Sequence, residues 1–403
     1  MTSLGFLRRN ARWLLAGFLL TFSSSFGQTF FISVFAGEIQ AEFGLSHGAW
    51  GSIYMVGTLA SAVVMVWAGS LTDHFRVRRL GTLTLLILAL ACVSAALVPN
   101  AWFLPLAVFL LRVAGQGMAS HTAAVAMARW FSAARGRALA IAAFGFSVGE
   151  AILPFLAVLV MGAVGWRISW LFAAVLALAI IPILLMLLVS ERTPQSMAEE
   201  SEATGMAQRH WSRQDVLRNR VFWLLFPTLL GPSAFGTAFF FHQVHLAETK
   251  GWSHLDMVSL FPVYTGTAVI AMVVSGFAID RFGSARLMPV LLLPMAFGFA
   301  LFGGSEAYVM AALSVAGYGI TTGMNSTLSS AFWAELYGTR HLGSIKAMAT
   351  AVMVLGSAIG PGLTGIIIDA GVSYDRQMIW VALYMLVSAA LALAATRSRS
   401  HFG

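Results

Sequence analysis

Apolar runs of about 18 to 25 residues recur from one end of the chain to the other, and nothing else in the sequence constrains its fold as tightly. A helix needs roughly 20 residues to cross about 30 Å of hydrocarbon. Twelve such runs are counted, at 13–37, 48–71, 80–98, 102–126, 137–162, 167–189, 220–246, 256–279, 286–303, 307–332, 343–368 and 377–395. Backbone polar groups cannot stay unpaired in lipid, so the spans must be helices or the strands of a closed barrel. The period-two alternation of a barrel is absent. Composition agrees: 59% of the 403 residues are hydrophobic and only 10% charged, too few charges to coat a water-soluble domain of this length. The expected fold class is an all-α membrane protein with twelve transmembrane helices. The first run is too long for a signal-peptide core and no small-residue cleavage site follows it, so it is read as a retained span. A single cysteine, Cys92, excludes an internal disulfide and a thiolate metal cluster.

The net charge of +8 reads as topology rather than as a nucleic-acid surface. Twenty of the 24 Lys and Arg fall at the N-terminus (Arg8, Arg9, Arg12), in the loops from even to odd spans, and at the C-terminus. The opposite loops hold only Arg167, Lys250 and Arg376, and Arg112 lies within span 4. The positive-inside rule then places both termini in the cytoplasm of a multi-pass protein of the inner (plasma) membrane. The one long polar stretch, "SERTPQSMAEESEATGMAQRHWSRQDVLRNR" (190–220), reads as a cytoplasmic linker with a short amphipathic piece near Trp211 to Leu217. It separates a six-helix bundle at 1–190 from another at 220–403, with the linker at 191–219.

The two halves repeat one plan. At a shift of 207 positions the pairs Gly44/Gly251, Ser46/Ser253, His47/His254, Ser52/Ser259, Thr58/Thr265, Met65/Met272, Gly69/Gly276, Asp73/Asp280, Phe75/Phe282 and Arg79/Arg286 are identical without a gap. "SSFGQTFF" (24–31) faces "SAFGTAFF" (233–240), and "GFSVGEAILP" (145–154) faces "GSAIGPGLTG" (356–365). Apolar coincidences are common, but Asp and Arg in register are not, so the bundles are expected to be pseudo-symmetric.

These residues resemble the major facilitator superfamily of secondary transporters. Its signature loop, a Gly, an Asp four positions on and then basic residues, is matched by Gly69, Asp73, Arg76, Arg78 and Arg79. The second copy supplies Gly276, Asp280, Arg281, Gly283 and Arg286. "RVAGQG" (112–117) resembles the helix 4 motif of the family, whereas Gly149-Glu150 stands where the helix 5 motif has Gly-Pro. The resemblance implies a gate: Gly69 and Gly276 allow close helix approach, and Asp73 and Asp280 pair with Arg or a neighbouring helix N-terminus. Anchoring topology is the alternative role for Arg76 and Arg78. The resemblance also implies a central cavity lined by helices 1, 4, 7 and 10.

An ionisable residue deep in a span is a functional hypothesis by default. Arg112 and Glu150 lie about ten and thirteen residues into spans 4 and 5 from opposite sides, hence at one level, where they can face each other. Either a substrate carboxylate or a proton on Glu150 competes for Arg112, or the two form a static pair. His242 is a second proton-coupling candidate. Candidate substrate contacts are Arg112, Gln28, Phe30, Gln116, Phe239, His242, Tyr264 and Asn325; Tyr54 and Tyr318 also carry hydroxyls suited to a carboxylate. His121, on the opposite face of span 4 from Arg112, is expected to satisfy a backbone group.

No phosphate loop, no His-Glu-x-x-His and no gathered carboxylates appear, so neither an enzyme nor a cofactor or metal is expected. The reading is a monomeric secondary transporter, coupled to protons as symporter or antiporter. "GWSH" (251–254), "ELYGTRHLG" (335–343) and "GPGLTG" (360–365) look like the monocarboxylate and oxalate:formate branch, which implies a small organic anion. That branch places a basic residue in helix 8 or 11; this chain has none in either core, leaving Arg112 to carry the anion's charge alone. The alternatives are efflux of apolar or cationic drugs, with Glu150 as partner of the cation, and a non-transporting membrane sensor.

Overall fold

The structure, a computed structural model, describes residues 3–131, 134–190, 206–208, 211–338 and 341–398. The chain divides into two compact units, Met1–Glu199 and Glu200–Gly403. Among the described residues there is helix and no strand. Of the expected linker 191–219, residues 191–205 and 209–210 lie outside the described residues. Its amphipathic piece forms a helix at Arg213–Arg218, capped by Ser212, whose hydroxyl accepts from the N–H of Asp215.

In the first unit, helix 1 runs over Ser3–Ser24, breaks through a tight turn at Ser25–Gly27, and resumes as Thr29–Ile32 and Ala36–Phe43. Helices 2 to 6 are His47–Ala68, Val77–Ala96, Ala101–Trp130, Arg135–Val164 and Trp166–Leu187. Gly44 ends helix 1 at φ +63°, a conformation glycine adopts without cost, and the Ser46 hydroxyl accepts from the N–H of Ala49 to start helix 2. Helix 5 lies against helix 1, helix 4 against helix 2 and helix 6 against helix 3. The first contact rests on Gly145 and Gly149, one turn apart. A Cβ at Gly145 would strike the Phe18 carbonyl, and one at Gly149 would strike the Ser25 side chain.

The second unit is built the same way. Helices 7 to 12 are Arg220–Phe241 (continued as Gln243–Thr249), His254–Phe282, Leu293–Gly304, Tyr308–Tyr337, Leu342–Asp369 and Tyr374–Ser398. Gly251 (φ +67°) and the capping Ser253 reproduce Gly44 and Ser46. Helix 11 packs on helix 7, helix 10 on helix 8 and helix 12 on helix 9. The glycine step also recurs: a Cβ at Gly356 would lie 2.9 Å from the Leu230 carbonyl, and one at Gly360 would lie 2.9 Å from Ala234 Cα.

Nine described helices are long and apolar enough to cross a membrane, ten when the two parts of helix 1, bent by 48°, form one span. The other two expected spans are helices 9 and 10. Helix 9 keeps only twelve residues of regular helix because Pro289, with no N–H to donate, interrupts the segment expected at 286–303. Helix 10 has thirty residues but carries Ser, Thr, Gly and Asn along its middle.

At one end of each bundle, an ion pair ties the first helix to the sixth. Glu42 meets Arg167 at 2.5 Å in the first unit, and Lys250 meets Asp375 at 3.3 Å in the second. The partners are 125 residues apart in both, with the charges exchanged. Arg167 also donates to the Ala96 and Val98 carbonyls that end helix 3, and Trp166 donates to Glu42 at 2.8 Å. Lys250 has a second carboxylate, Glu306 at 3.2 Å, and its side chain is fully buried, whereas those of Glu42 and Arg167 are 40% and 34% exposed.

The difference in burial sets the expected cost of breaking each pair. Lys250→Met leaves Asp375 without its cation in a largely buried place, an expected loss of about 3–5 kcal/mol. Glu42→Gln at the wetter pair costs about 1 kcal/mol or less. Melting of the detergent-purified protein checks the order, and exchange of the charges in a Lys250→Glu/Asp375→Lys variant that also carries Glu306→Gln, which removes the second carboxylate beside position 250, is expected to recover most of the first loss.

Candidate substrate site

The break in helix 1 faces the centre of helix 4. A Cβ at Gly27 would overlap the Leu111 carbonyl and lie 2.8 Å from Gly115 Cα, and a Cβ at Gly115 would lie 2.6 Å from Gly27 Cα. The two backbones therefore touch. Gln28 leaves the break extended, at φ −88° and ψ 154°, which interrupts the hydrogen-bond ladder of helix 1. Opposite it, helix 4 widens into π-helix over Arg112–Ala119, a rare form that recurs at functional sites.

Arg112 opens that π-helical stretch and reaches across to the break. Its Nη1 donates to the Gly27 carbonyl and to Thr29 Oγ1, both at 3.4 Å. Thr29 in turn shares a 2.5 Å hydrogen bond with the Tyr54 hydroxyl on helix 2, and the Tyr54 ring lies 5.3 Å from the guanidinium carbon. The residue is 2% exposed, its Nε has no partner, and among the described residues no carboxylate pairs with it. Two long hydrogen bonds and a ring are thin compensation for a buried guanidinium, whose desolvation costs several kcal/mol. A planar carboxylate presented to its fork of N–H groups supplies the missing charge and geometry.

The expected pairing of Arg112 with Glu150 is not formed. Both are buried, but the hydrogen bonds of Arg112 go to helix 1. Helix 1 touches helix 4 through Gly27 and Gly115, and helix 5 through Ser25 and Gly149. The side on which helix 1 lies was not readable from residue counting.

The remaining candidates separate by unit. Gln28 and Gln116 are at the break and in the π-helical stretch, beside Arg112. Phe30 is buried edge-on against Phe146 of helix 5. In the second unit, Phe239 is 1% exposed and packed against Phe240, Phe299, Phe302 and Tyr318, a core position. Tyr264 belongs to the same cluster and donates to Thr322 on helix 10 at 3.2 Å. His242 is buried and its Nε2 donates to the Pro361 carbonyl of helix 11 at 3.0 Å. Asn325 is half-buried on helix 10. Thr29 and the Gly27 carbonyl were missed; the signal for them was the polar run "SSFGQT" inside an apolar span.

At the motif loops, Gly69 accepts a hydrogen bond through its carbonyl from His121 Nε2 at 3.2 Å, which gives that histidine the backbone partner it was expected to have. The side chain of Asp73 lies outside the described residues. Arg76 and Arg79 are exposed. The second copy departs from expectation. Nothing within 4 Å would meet a Cβ at Gly276, so it makes no close helix approach within its unit. Asp280 is exposed and forms no ion pair among the described residues, Arg281 lies over the Phe282 ring, and Arg286 is exposed. The carboxylate that meets a neighbouring helix start here is Glu335 of helix 10, which accepts from the N–H of Ser284 at 3.2 Å and from its hydroxyl.

The sequence model of the Major Facilitator Superfamily matches residues 17–361 and, a second time, 243–397. The chain belongs to that superfamily. Monocarboxylate transporter 13 of Rattus norvegicus is 22% identical over 306 residues, 75% of this chain and 69% of the relative. Among solved structures, a bacterial homolog of the human lysosomal transporter Spinster, inward-facing and occupied, superposes with a TM-score of 0.74 at 15% identity, covering 95% of this chain and 96% of the other. The nucleoside transporter NupG does so at 0.67 and 12% identity, over 97% and 99%. At such identities the structures share the fold alone. A multi-pass membrane transporter is what the family makes of this chain.

The helix 1–helix 4 contact yields a direct check. Gly115→Val puts a branched side chain into the Gly27 backbone and is expected to cost about 1–3 kcal/mol or more, seen as a melting temperature lower by several degrees. An unchanged melting curve would mean that the two helices do not touch there.

Proposed function

We propose that this superfamily member moves a small organic anion of monocarboxylate type by alternating access, with the substrate carboxylate held by Arg112. The carrying observation is the buried guanidinium with an unpartnered Nε at a broken helix. Transporters of this class bind substrate where span helices are interrupted, and a charge in lipid is retained where it has a ligand or a partner. The likeness to a monocarboxylate transporter points the same way. Thr29 and Tyr54 give the bound carboxylate hydroxyl neighbours, and Gln28 and Gln116 flank it. Protons are the proposed coupling ion, with Glu150 and His242 as the groups that carry them.

The reading includes a monomer in the inner membrane with both termini cytoplasmic, bundles at 1–190 and 220–403, and a linker at 191–219 between them. Gly69, Asp73, Arg76, Arg79, Gly276, Asp280, Arg281 and Arg286 are the proposed gating loops. The asymmetry of Lys and Arg between the two sets of loops supports the orientation.

Uptake of radiolabelled lactate, pyruvate, oxalate and formate into proteoliposomes under an imposed pH gradient tests the substrate class. At least one is expected to accumulate when the gradient is applied and to stop when it is collapsed. Arg112→Gln is expected to lower that flux by about two orders of magnitude or more, the equivalent of losing a charge-assisted bond worth about 3 kcal/mol, with the melting temperature kept. Near-normal flux in Arg112→Gln would make the guanidinium structural. Flux of a lipophilic cation that is lost in Glu150→Gln would favour the drug-efflux alternative.

A further inference from the structure

The first unit has a cavity of about 420 Å³ that the anion site does not use. It lies between the start of helix 3 and the end of helix 6. Arg76, Arg78, Arg79 and Thr82 form its polar side, and Leu83, Leu86, Leu185, Leu188 and Val189 its apolar side. Among the described residues, no acidic side chain lines it. Leu83, Leu86 and Val189 are 52%, 46% and 71% exposed, which in a membrane protein is surface offered to acyl chains. Three cations thus meet a hydrocarbon-facing wall at the end of two spans.

We propose that this cavity is a binding site for an anionic phospholipid, the phosphodiester held by Arg76, Arg78 and Arg79 and an acyl chain laid along Leu83, Leu86 and Val189. A volume of 420 Å³ admits roughly a dozen water-sized groups, the scale of a phosphoglycerol headgroup and the first methylenes below it. The side chains of Arg76 and Arg79 form no hydrogen bond or ion pair with described residues, so their donors are open to a phosphate. Basic pockets between spans at the membrane interface bind acidic headgroups for this reason, and arginine suits the phosphate geometry.

The repeat supplies an internal comparison. At the shift of 207, Gly283 and Ala285 stand where the first half has Arg76 and Arg78, and only Arg79 has a basic counterpart, Arg286. A cluster serving topology or the shared motif alone would be expected in both copies. The additional arginines of the first half are the ones that line the cavity. The inference needs only that the chain crosses a membrane and is independent of what it transports.

Native mass spectrometry of the delipidated full chain in detergent tests it, with phosphatidylglycerol, phosphatidylcholine or inorganic phosphate added at equal concentration. Phosphatidylglycerol is expected to be retained and to raise the melting temperature, and the other two to do neither. Arg76→Gln/Arg78→Gln is expected to weaken retention about 25-fold, at about fivefold per arginine near an anionic headgroup. Leu86→Trp, at a lipid-facing position that leaves all three arginines in place, is expected to weaken retention by filling the apolar side. Arg286→Gln in the second half is expected to leave it unchanged. Equal retention of phosphatidylcholine, stabilisation by phosphate alone, or wild-type retention in both the arginine double variant and Leu86→Trp would overturn the assignment.

Discussion

The bare backbone contact between Gly27 and Gly115 is the constraint on which the first unit depends. With no side chain on either residue, helix 1 comes close enough to helix 4 for its ladder to be exchanged for a tight turn and one extended residue. That exchange turns the Gly27 carbonyl toward Arg112, and the π-helical widening of helix 4 starts at the same residue. Any larger residue at either position would separate the helices and remove both the acceptor for the guanidinium and the wall that buries it. The charge is thus held by backbone and hydroxyl groups rather than, among the described residues, by a fixed carboxylate.

The ends of the bundles follow a different electrostatic rule. Arg167 and Lys250 are two of only three basic residues in loops where the overall pattern admits almost none, and the structure gives each a carboxylate. Exchanging the sign between Glu42–Arg167 and Lys250–Asp375 while keeping the 125-residue separation shows what the position requires: a tie between the first and sixth helices of the bundle. Which helix supplies the cation is indifferent to the tie. It is not indifferent to solvation, since the buried lysine of the second unit has gathered two carboxylates, whereas the wetter arginine of the first spends its remaining donors on the carbonyls that end helix 3.

Helical class, the internal repeat and the family were legible because each leaves a signal longer than one helix: a hydropathy period, a register, a spaced motif. Gly44 and Gly251, and Ser46 and Ser253, had already been aligned by the repeat, and both pairs proved to be the same stop and cap. What could not be read was azimuth. Arg112 and Glu150 were placed at one depth by counting, yet helix 1 takes the hydrogen bonds of Arg112, and no periodicity in helices 4 or 5 says where a third helix will lie. The break itself was hidden for a related reason, because Ser, Gly and Gln within an apolar run serve equally as interhelical packing in an unbroken span. Phe239 followed the same course: its place in the repeat suggested a ligand wall, but Phe299 and Phe302 of helix 9 and Tyr318 of helix 10 take it into the core.

Duplication left the two bundles alike in frame and unlike in chemistry. Gly27 and Gly236 stand at matching places in "SSFGQTFF" and "SAFGTAFF", and each presses its helix against the fourth helix of its own bundle. Where Gly27 meets the backbone beside Arg112, a Cβ on Gly236 would lie 2.6 Å from the Tyr318 ring carbon that bears the hydroxyl. The same close approach therefore presents a guanidinium in one unit and, in the other, a tyrosine within a cluster with Phe239, Phe240, Tyr264 and Phe299. A carboxylate needs one strong cation and gains nothing from a second that would go unpaired once the first is satisfied. Keeping the charge in one copy and filling the other with aromatic groups confines the buried guanidinium to the first bundle, which is why the proposed anion recognition, and with it the effect of Arg112→Gln, is assigned to that bundle alone.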